Sequence, residues 1–440
     1  MFEKLPRYPT QAFFICLFAY VFSQSDLALF SYALPEIRSE YNLELEVIGW
    51  VIAISYSLGA FTQVYIGTLV DRYGRKKMLS IMIFLSSLFI TLHAFVPEGK
   101  EYIIICGHSF TLGILLMIIL RGLAIGTGGS LYPITGAIVT EEAPAKYRGL
   151  FAGMLQTGYP LGWFLAAIFA APLLEEYGWR ALFLVGLISI PYIFVVKLYL
   201  KETNRFIIQD SQKSSQFREA DLSSYSKVKI LFTSSLRKRA ITIFLAQYLF
   251  VIAYGSSAMF FPTYFSEYRG LKIGDSALLV GFGNAIGVLG YILAAYVGEF
   301  ILTRRTTVVI WTILGSICFM YLIWFTEGYF DTLFAFGIMS MFFYGTAAVK
   351  FAFIAEIFPP LILIIFPLAF LSFISLKTNL ETSSGFVGLL MPAILDLFFR
   401  TELILFFSIL ASAFNNFFNL LVKVMPGFII ETEILSNFAC

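Results

Sequence analysis

Only two histidines, His93 and His108, and four cysteines, Cys16, Cys106, Cys318 and Cys440, occur in 440 residues. So few histidines exclude a histidine-based metal centre. The scattered cysteines supply neither a disulfide framework nor a metal-ligand spacing. Charge is equally scarce. Asp, Glu, Lys and Arg make up 13% of the chain, against roughly 25% in soluble proteins. Lys+Arg 30 against Asp+Glu 28 leaves a net charge of +2, so no basic excess points to nucleic acid. A Gly-x-x-x-x-Gly-Lys-Ser/Thr loop is missing, so ATP does not drive the protein directly. No nucleophile motif is present either. The chain therefore reads as no enzyme, with no metal and no cofactor.

What fills the chain is apolar. Hydrophobic residues account for 59% and aromatics for 18%. Such a chain cannot wet a surface of its own and is an integral membrane protein. A crossing helix needs about 20 apolar residues. Spans are predicted near 12–34, 47–69, 79–97, 112–139, 150–172 and 181–200. A second set lies near 240–264, 276–298, 306–325, 332–355, within 361–399, and at 403–424. The short apolar run 103–106 is assigned to an outer loop, because Gly107-His108-Ser109 separates it from the fourth span. The fold class is thus an all-α membrane protein of 12 transmembrane helices. It divides into a six-helix bundle over 1–200, a linker over 201–239 and a second six-helix bundle over 240–440.

Orientation follows from the basic residues of the loops. With the N-terminus inside, the cytoplasmic segments hold nineteen Lys and Arg, including Lys4, Arg72, Arg75, Lys76 and nine in the linker. The outer loops hold six: Arg38, Lys100, Arg180, Arg269, Lys272 and Arg400. Both termini are expected in the cytoplasm. The linker, rich in basic residues and serine, reads as a solvated connector, since about 40 residues are too few for a regulatory domain.

The two halves echo each other. After the second span the chain reads Gly67-Thr68-Leu69-Val70-Asp71-Arg72-Tyr73-Gly74-Arg75-Lys76-Lys77, and after the eighth Gly298-Glu299-Phe300-Ile301-Leu302-Thr303-Arg304-Arg305. Glu141-Glu142-Ala143-Pro144 after the fourth span is matched by Glu356-Ile357-Phe358-Pro359 after the tenth. Paired halves with repeated loops are the mark of a secondary transporter.

These residues resemble the major facilitator superfamily. Residues 67–77 match its loop signature position for position. The likeness continues through Arg121 to Gly129, through 141–149 and through Gly178-Trp179-Arg180. Lys201-Glu202-Thr203-Asn204-Arg205-Phe206 resembles a signature of sugar porters and metabolite:proton symporters. The resemblance implies two six-helix bundles around a central cavity and alternating access by rocking. It also implies a cytoplasmic gating cluster at Gly67, Asp71, Arg72, Gly74, Arg75, Glu141, Arg148, Glu202, Arg205, Glu299, Arg304 and Glu356. One stretch departs from the pattern. Residues 360–376 are apolar where the family has a polar loop, and Lys377 to Ser384 are polar where the eleventh helix belongs. Real divergence and a local shift in reading frame both account for it.

Charge inside the membrane costs roughly 2.5–3.5 kcal/mol on insertion scales, so three residues stand out. Asp26 lies in mid-span; a carboxylate there is costly in a way that protonation relieves, making it a proton site or else a structural acid. Arg121 in the fourth span must face the cavity and pair. The resemblance makes Asp26 its partner, with the pair acting as a coupling switch or as a static bridge. Lys350 in the tenth span either snorkels to the cytoplasmic face or offers a cation to an anionic substrate. Gln156, Tyr159 and Trp163 in the fifth span, and Gln247, Tyr248 and Tyr254 in the seventh, are cavity candidates. The paired glutamines of sugar porters and the glycine motif of drug antiporters are not reproduced.

The reading is a proton-coupled symporter in the plasma membrane, functional as a monomer, for a small polar metabolite, with an organic acid favoured. A sugar:proton symporter is the alternative. A non-transporting nutrient receptor is a remote one, since the predicted tails are short.

Overall fold

The computed structural model describes residues 7–43, 45–97, 102–105, 108–144, 147–203, 206–207 and 258–357; within these, the side chains of 45, 46, 68, 71, 102–105, 108–110, 150 and 351–357 are outside the description. The linker beyond 207, the predicted seventh span before 258 and everything after 357 lie outside the described residues. So do Gln247, Tyr248, Tyr254 and the divergent stretch 360–384.

Among the described residues the protein is helical apart from one hairpin. Three long helices come first: α1 (Arg7–Tyr41), α2 (Leu45–Tyr73) and α3 (Arg75–Leu92). A 3-10 turn, His93–Phe95, ends α3. The stretch expected as an outer loop folds into an antiparallel hairpin, β1 (Tyr102–Ile105) and β2 (His108–Thr111), within an otherwise all-α fold. The apolar run Ile103 to Ile105 pairs with Phe110, Ser109 and His108, which satisfies its backbone without a helix. Thr111 then accepts from the Ile114 amide and caps α4 (Leu112–Glu142).

The fifth and sixth spans are broken helices. α5 (Arg148–Leu155) gives way at Gln156-Thr157 to α6 (Gly158–Phe183). Inside α6 the chain turns at Gly178 with φ 74, a backbone that glycine adopts freely. A 3-10 segment, Leu184–Ser189, and Pro191 precede α7 (Tyr192–Tyr199). In the second half, a helical turn at Phe261–Thr263 runs into a π-helical turn, Tyr264–Tyr268. Then come α8 (Ile273–Phe300), α9 (Arg304–Trp324) and α10 (Tyr329–Ile357).

Eight stretches among the described residues are long and apolar enough to cross a membrane. One of them, Phe151–Tyr199, is 49 residues long and contains the predicted fifth and sixth spans together. The twelve expected crossings and the position of the termini extend beyond the described residues.

Close helix approach is built from small residues. A Cβ on Gly122 of α4 would stand 2.6 Å from Leu58 of α2. The two halves meet where Gly281 of α8 lies against Ala167 of α6. One apolar core, containing Leu29, Trp163, Phe183, Phe265 and Phe336, runs through both halves towards the end bearing the hairpin, called here the far end. A second core, with Phe13, Leu79, Ile138 and Phe151, lies within the first half at the other end.

Candidate functional site

The sequence signature builds a capped helix start. Gly74, φ 93, reverses the chain between α2 and α3. The first amides of a helix lack internal partners and form its positive pole. Here Glu202, from far along the chain, accepts from the Arg75 amide at 3.0 Å and the Lys76 amide at 3.1 Å. The Arg75 guanidinium lies over the Phe206 ring at 5.2 Å and pairs with Glu141 at 3.3 Å. Gly74, Arg75, Glu141, Glu202 and Phe206 thus converge. Arg72 stacks on Tyr73 instead, Arg148 is exposed at the start of α5, and Gly67 lies in α2. In the second half Arg304 pairs with Glu299 at 2.7 Å. Both basic clusters begin a helix, where the dipole disfavours them, and each has an acid to offset that. The side chains of Asp71 and Glu356, and all of Arg205, lie outside the described residues.

Asp26 is 3% exposed on α1. Its carboxylate accepts from Ser87 of α3 at 3.3 Å and from Ser189, in the 3-10 segment before α7, at 3.3 and 3.4 Å. Arg121 of α4 is 2% exposed. It donates to the Leu27 carbonyl at 2.9 Å, lies 4.4 Å from the Phe30 ring centre, and is hydrogen-bonded to Tyr56. Asp26 thus turns from α1 towards Ser87 and Ser189, while Arg121 meets α1 at Leu27 and Phe30. Among the described residues no carboxylate pairs with Arg121, so the expected Asp26–Arg121 ion pair is not made in this conformation.

Where the halves meet they press together a cluster of aromatic side chains. Tyr159 of α6 meets Trp163 at 6.0 Å and, across the halves, Tyr344 of α10 at 5.6 Å. Tyr344 stacks on Tyr291 of α8 and donates to Asn284. Tyr32 donates to the Trp163 carbonyl at 3.1 Å. Tyr159, Trp163, Asn284, Phe336 and Tyr344 line a common gap too narrow for water. Gln156 donates to Tyr132 at the break between α5 and α6. Lys350 lies on α10 with its Nζ enclosed in the protein.

Sequence reasoning singled out Tyr159, Trp163, Gln156, Asp26 and Arg121. It passed over Ser87, Ser189, Tyr56, Asn284, Tyr291 and Tyr344. Their signal was present, as hydroxyls and an amide inside apolar spans, but the chain holds 24 tyrosines and nothing in the pattern distinguished these.

At the far end the halves are joined by an ion pair between Arg38 of α1 and Glu267 of the π-helical turn. Ser31 adds a 2.6 Å bond to the Met259 carbonyl. Arg269 donates to the carbonyls of Leu322, Ile323 and Thr326 and so ties that turn to the end of α9.

Known proteins are similar to this chain in sequence and in fold. A cis,cis-muconate transport protein of Acinetobacter baylyi is 27% identical over 291 residues, covering 66% of this chain and 66% of the relative. A gentisate transporter of Corynebacterium glutamicum is 25% identical over 285 residues, covering 64% and 60%. The chain thus spans less than two thirds of the length of either relative. A solved D-xylose-proton symporter superposes with a TM-score of 0.64 at 16% identity, covering 85% of this chain and 89% of that one. An inward-facing bacterial homologue of the lysosomal transporter Spinster superposes at 0.62 and 14%, covering 93% and 89%. The profile described as Major Facilitator Superfamily matches residues 16–360, ending where the sequence departs from the pattern. With the signature loop, the broken helices and two halves meeting over a central cluster, the chain belongs to the Major Facilitator Superfamily, whose members are membrane transporters rather than enzymes.

Proposed function

We propose that the protein is a proton-coupled secondary transporter carrying a small organic acid, with unsaturated and aromatic carboxylates favoured, by rocking its two halves about the central cluster. The carrying observation is Arg121. Among the described residues this buried guanidinium has no carboxylate partner, which is costly; it is hydrogen-bonded to Tyr56, and Tyr159 and Tyr344 meet across the two halves. A fixed cation next to aromatic faces and phenolic hydroxyls suits a planar carboxylate: the guanidinium holds the anion through two hydrogen bonds and the rings stack on its unsaturated body. The names of the muconate and gentisate relatives support the same class.

Asp26 is the proposed proton carrier. Its hydroxyl neighbours stabilise either protonation state, because a hydroxyl both donates and accepts. Proton uptake at Asp26 and anion arrival at Arg121 each reduce uncompensated charge in the first half, and rocking proceeds from that neutral state. The sugar alternative leaned on Glu202 to Phe206, but Glu202 serves there as the cap of α3, away from the aromatic cluster. A monomer in the plasma membrane with both termini cytoplasmic completes the proposal.

The test is reconstitution in proteoliposomes with labelled benzoate, cis,cis-muconate, gentisate and xylose, with and without a pH gradient. Accumulation of a carboxylate that collapses when the gradient is dissipated is expected. Uptake of xylose alone would overturn the substrate class, and carboxylate uptake indifferent to the gradient would overturn proton coupling.

A further inference from the structure

At the end opposite the hairpin, three lysines gather where α1 begins, α3 begins and α7 ends. Lys76 of α3 donates from its Nζ to the Lys197 carbonyl of α7 at 2.9 Å. Lys201 follows α7. Its amide donates to the Tyr8 hydroxyl of α1 at 2.9 Å, and its Nζ lies 5.3 Å from the centre of the Tyr8 ring. Lys197 sits in the last turn of α7 and is exposed. Among the described residues no carboxylate pairs with any of the three. The neighbouring acids are committed elsewhere. Glu202 accepts from the amides of Arg75 and Lys76, and Glu141 pairs with Arg75. Glu142 of α4 is a further acid near Tyr8. The patch thus holds more positive charge than the acids around it offset.

This charge borders an apolar surface. Lys197 lies in the last turn of the 49-residue apolar stretch Phe151–Tyr199. Phe194 and Leu198 share its face of α7, at helical spacing, and are 66% and 75% exposed. The neighbouring α3 presents exposed Ile81 and Phe84 within three turns of its start. In a bilayer such side chains meet acyl chains. The lysines stand where acyl chains give way to headgroups, and Tyr8 is the kind of amphipathic ring that this boundary favours.

We propose that this patch seats an anionic glycerophospholipid, with its phosphate held by Lys76, Lys197 and Lys201 and its acyl chains lying on Phe194 and Leu198. Lysine suits the role. Its ammonium is a compact charge with three donors on a flexible stem, so it follows a headgroup without demanding one geometry. A zwitterionic lipid carries its own cation to the same place and gains less from the lysines. Each lysine near an anionic headgroup is worth about a fivefold gain in binding. The seated lipid ties the start of α3 to the end of α7, and the site stands whether or not the transport reading does.

The test uses the whole protein, stripped of lipid in detergent and titrated with phosphatidylglycerol or phosphatidylcholine, with bound lipid counted by native mass spectrometry. The first phosphatidylglycerol should bind at least about tenfold more tightly than the first phosphatidylcholine. Lys197→Gln and Lys201→Gln should each lower that preference about fivefold, while Lys272→Gln at the far end leaves it unchanged. Equal binding of the two lipids overturns the site. So does a wild-type preference that survives when Lys76, Lys197 and Lys201 are all changed to Gln. A second measurement needs no variant. Phosphatidylglycerol with a photoreactive acyl chain should crosslink to α7 and α3 of the wild type, and crosslinks confined to other helices overturn the proposal. Glycerol phosphate, which offers the anion without the chains, should not compete at equal concentration. If it does, the lysines hold a soluble phosphate and the lipid assignment falls.

Discussion

Asp26 belongs to α1 and Arg121 lies against Leu27 and Phe30 of that helix, yet each is satisfied separately, one by serines and the other by a carbonyl, a ring and a phenol. The arrangement separates their roles experimentally. Asp26→Asn keeps the shape and the serine contacts but cannot carry a proton. Accumulation against a gradient should vanish in that variant while counterflow of labelled substrate persists. Arg121→Lys keeps the charge and loses the planar fork. If the fork binds the carboxylate, a charged hydrogen bond worth roughly 1.5–3 kcal/mol is lost, about a tenfold to hundredfold fall in transport. Transport within twofold of wild type would reduce Arg121 to a structural cation. Both residues were legible in the sequence because charge inside an apolar span is rare. Their actual contacts were not, since serine and tyrosine are common in this chain and a sequence does not say which face of α1 each charge takes.

Among the elements, the start of α3 has the most consequential geometry. A Cβ on Gly74 would stand 2.6 Å from a Glu202 oxygen, on a backbone with φ 93. Gly74→Ala should therefore cost about 1–3 kcal/mol, read as a lower unfolding temperature in detergent. Glu202→Gln keeps an oxygen for the two amides but drops the charge that faces the positive pole of α3 and the basic cluster. A smaller loss, about 0.3–1 kcal/mol, is expected in the same assay, with substrate affinity unchanged. Loop signature and helix starts were readable because glycine, acid and basic cluster have fixed meanings at a helix end. The breaks at Gln156-Thr157 and in the 3-10 segment ending at Ser189 were less so, because they fall inside spans that read as continuous and their hydrogen-bond pattern is set by the helices packed around them. Gly178 and Pro191 gave the only local hints.

For the whole molecule, the far end is fastened across the halves, and aromatic side chains from both halves meet at the centre. The Arg38–Glu267 pair is partly exposed, at 27% and 39% of its side chains, so its worth is about 1 kcal/mol or less. A rocking transporter must break it in each cycle. Glu267→Gln should shift the resting population towards far-end opening by up to about fivefold, seen as a longer spin-label distance between the ends of α1 and α9. An unchanged distance distribution would show that Ser31, Met259 and the apolar core fasten this end without the ion pair.

The turn at Gly178 carries a consequence of its own. It joins the predicted fifth and sixth spans through a single residue of positive φ, within one 49-residue apolar stretch. The hairpin over 102–111, by contrast, has strands and a reversal between α3 and α4. A protease or an inserted epitope needs several residues of slack chain. The loop between α3 and α4 should accept a tag or a cleavage site, whereas one placed at Gly178 would pry apart two helices that hold Trp179 and Arg180 against Glu40. The face of this protein that an antibody can grip is thus set by where the chain has length to spare.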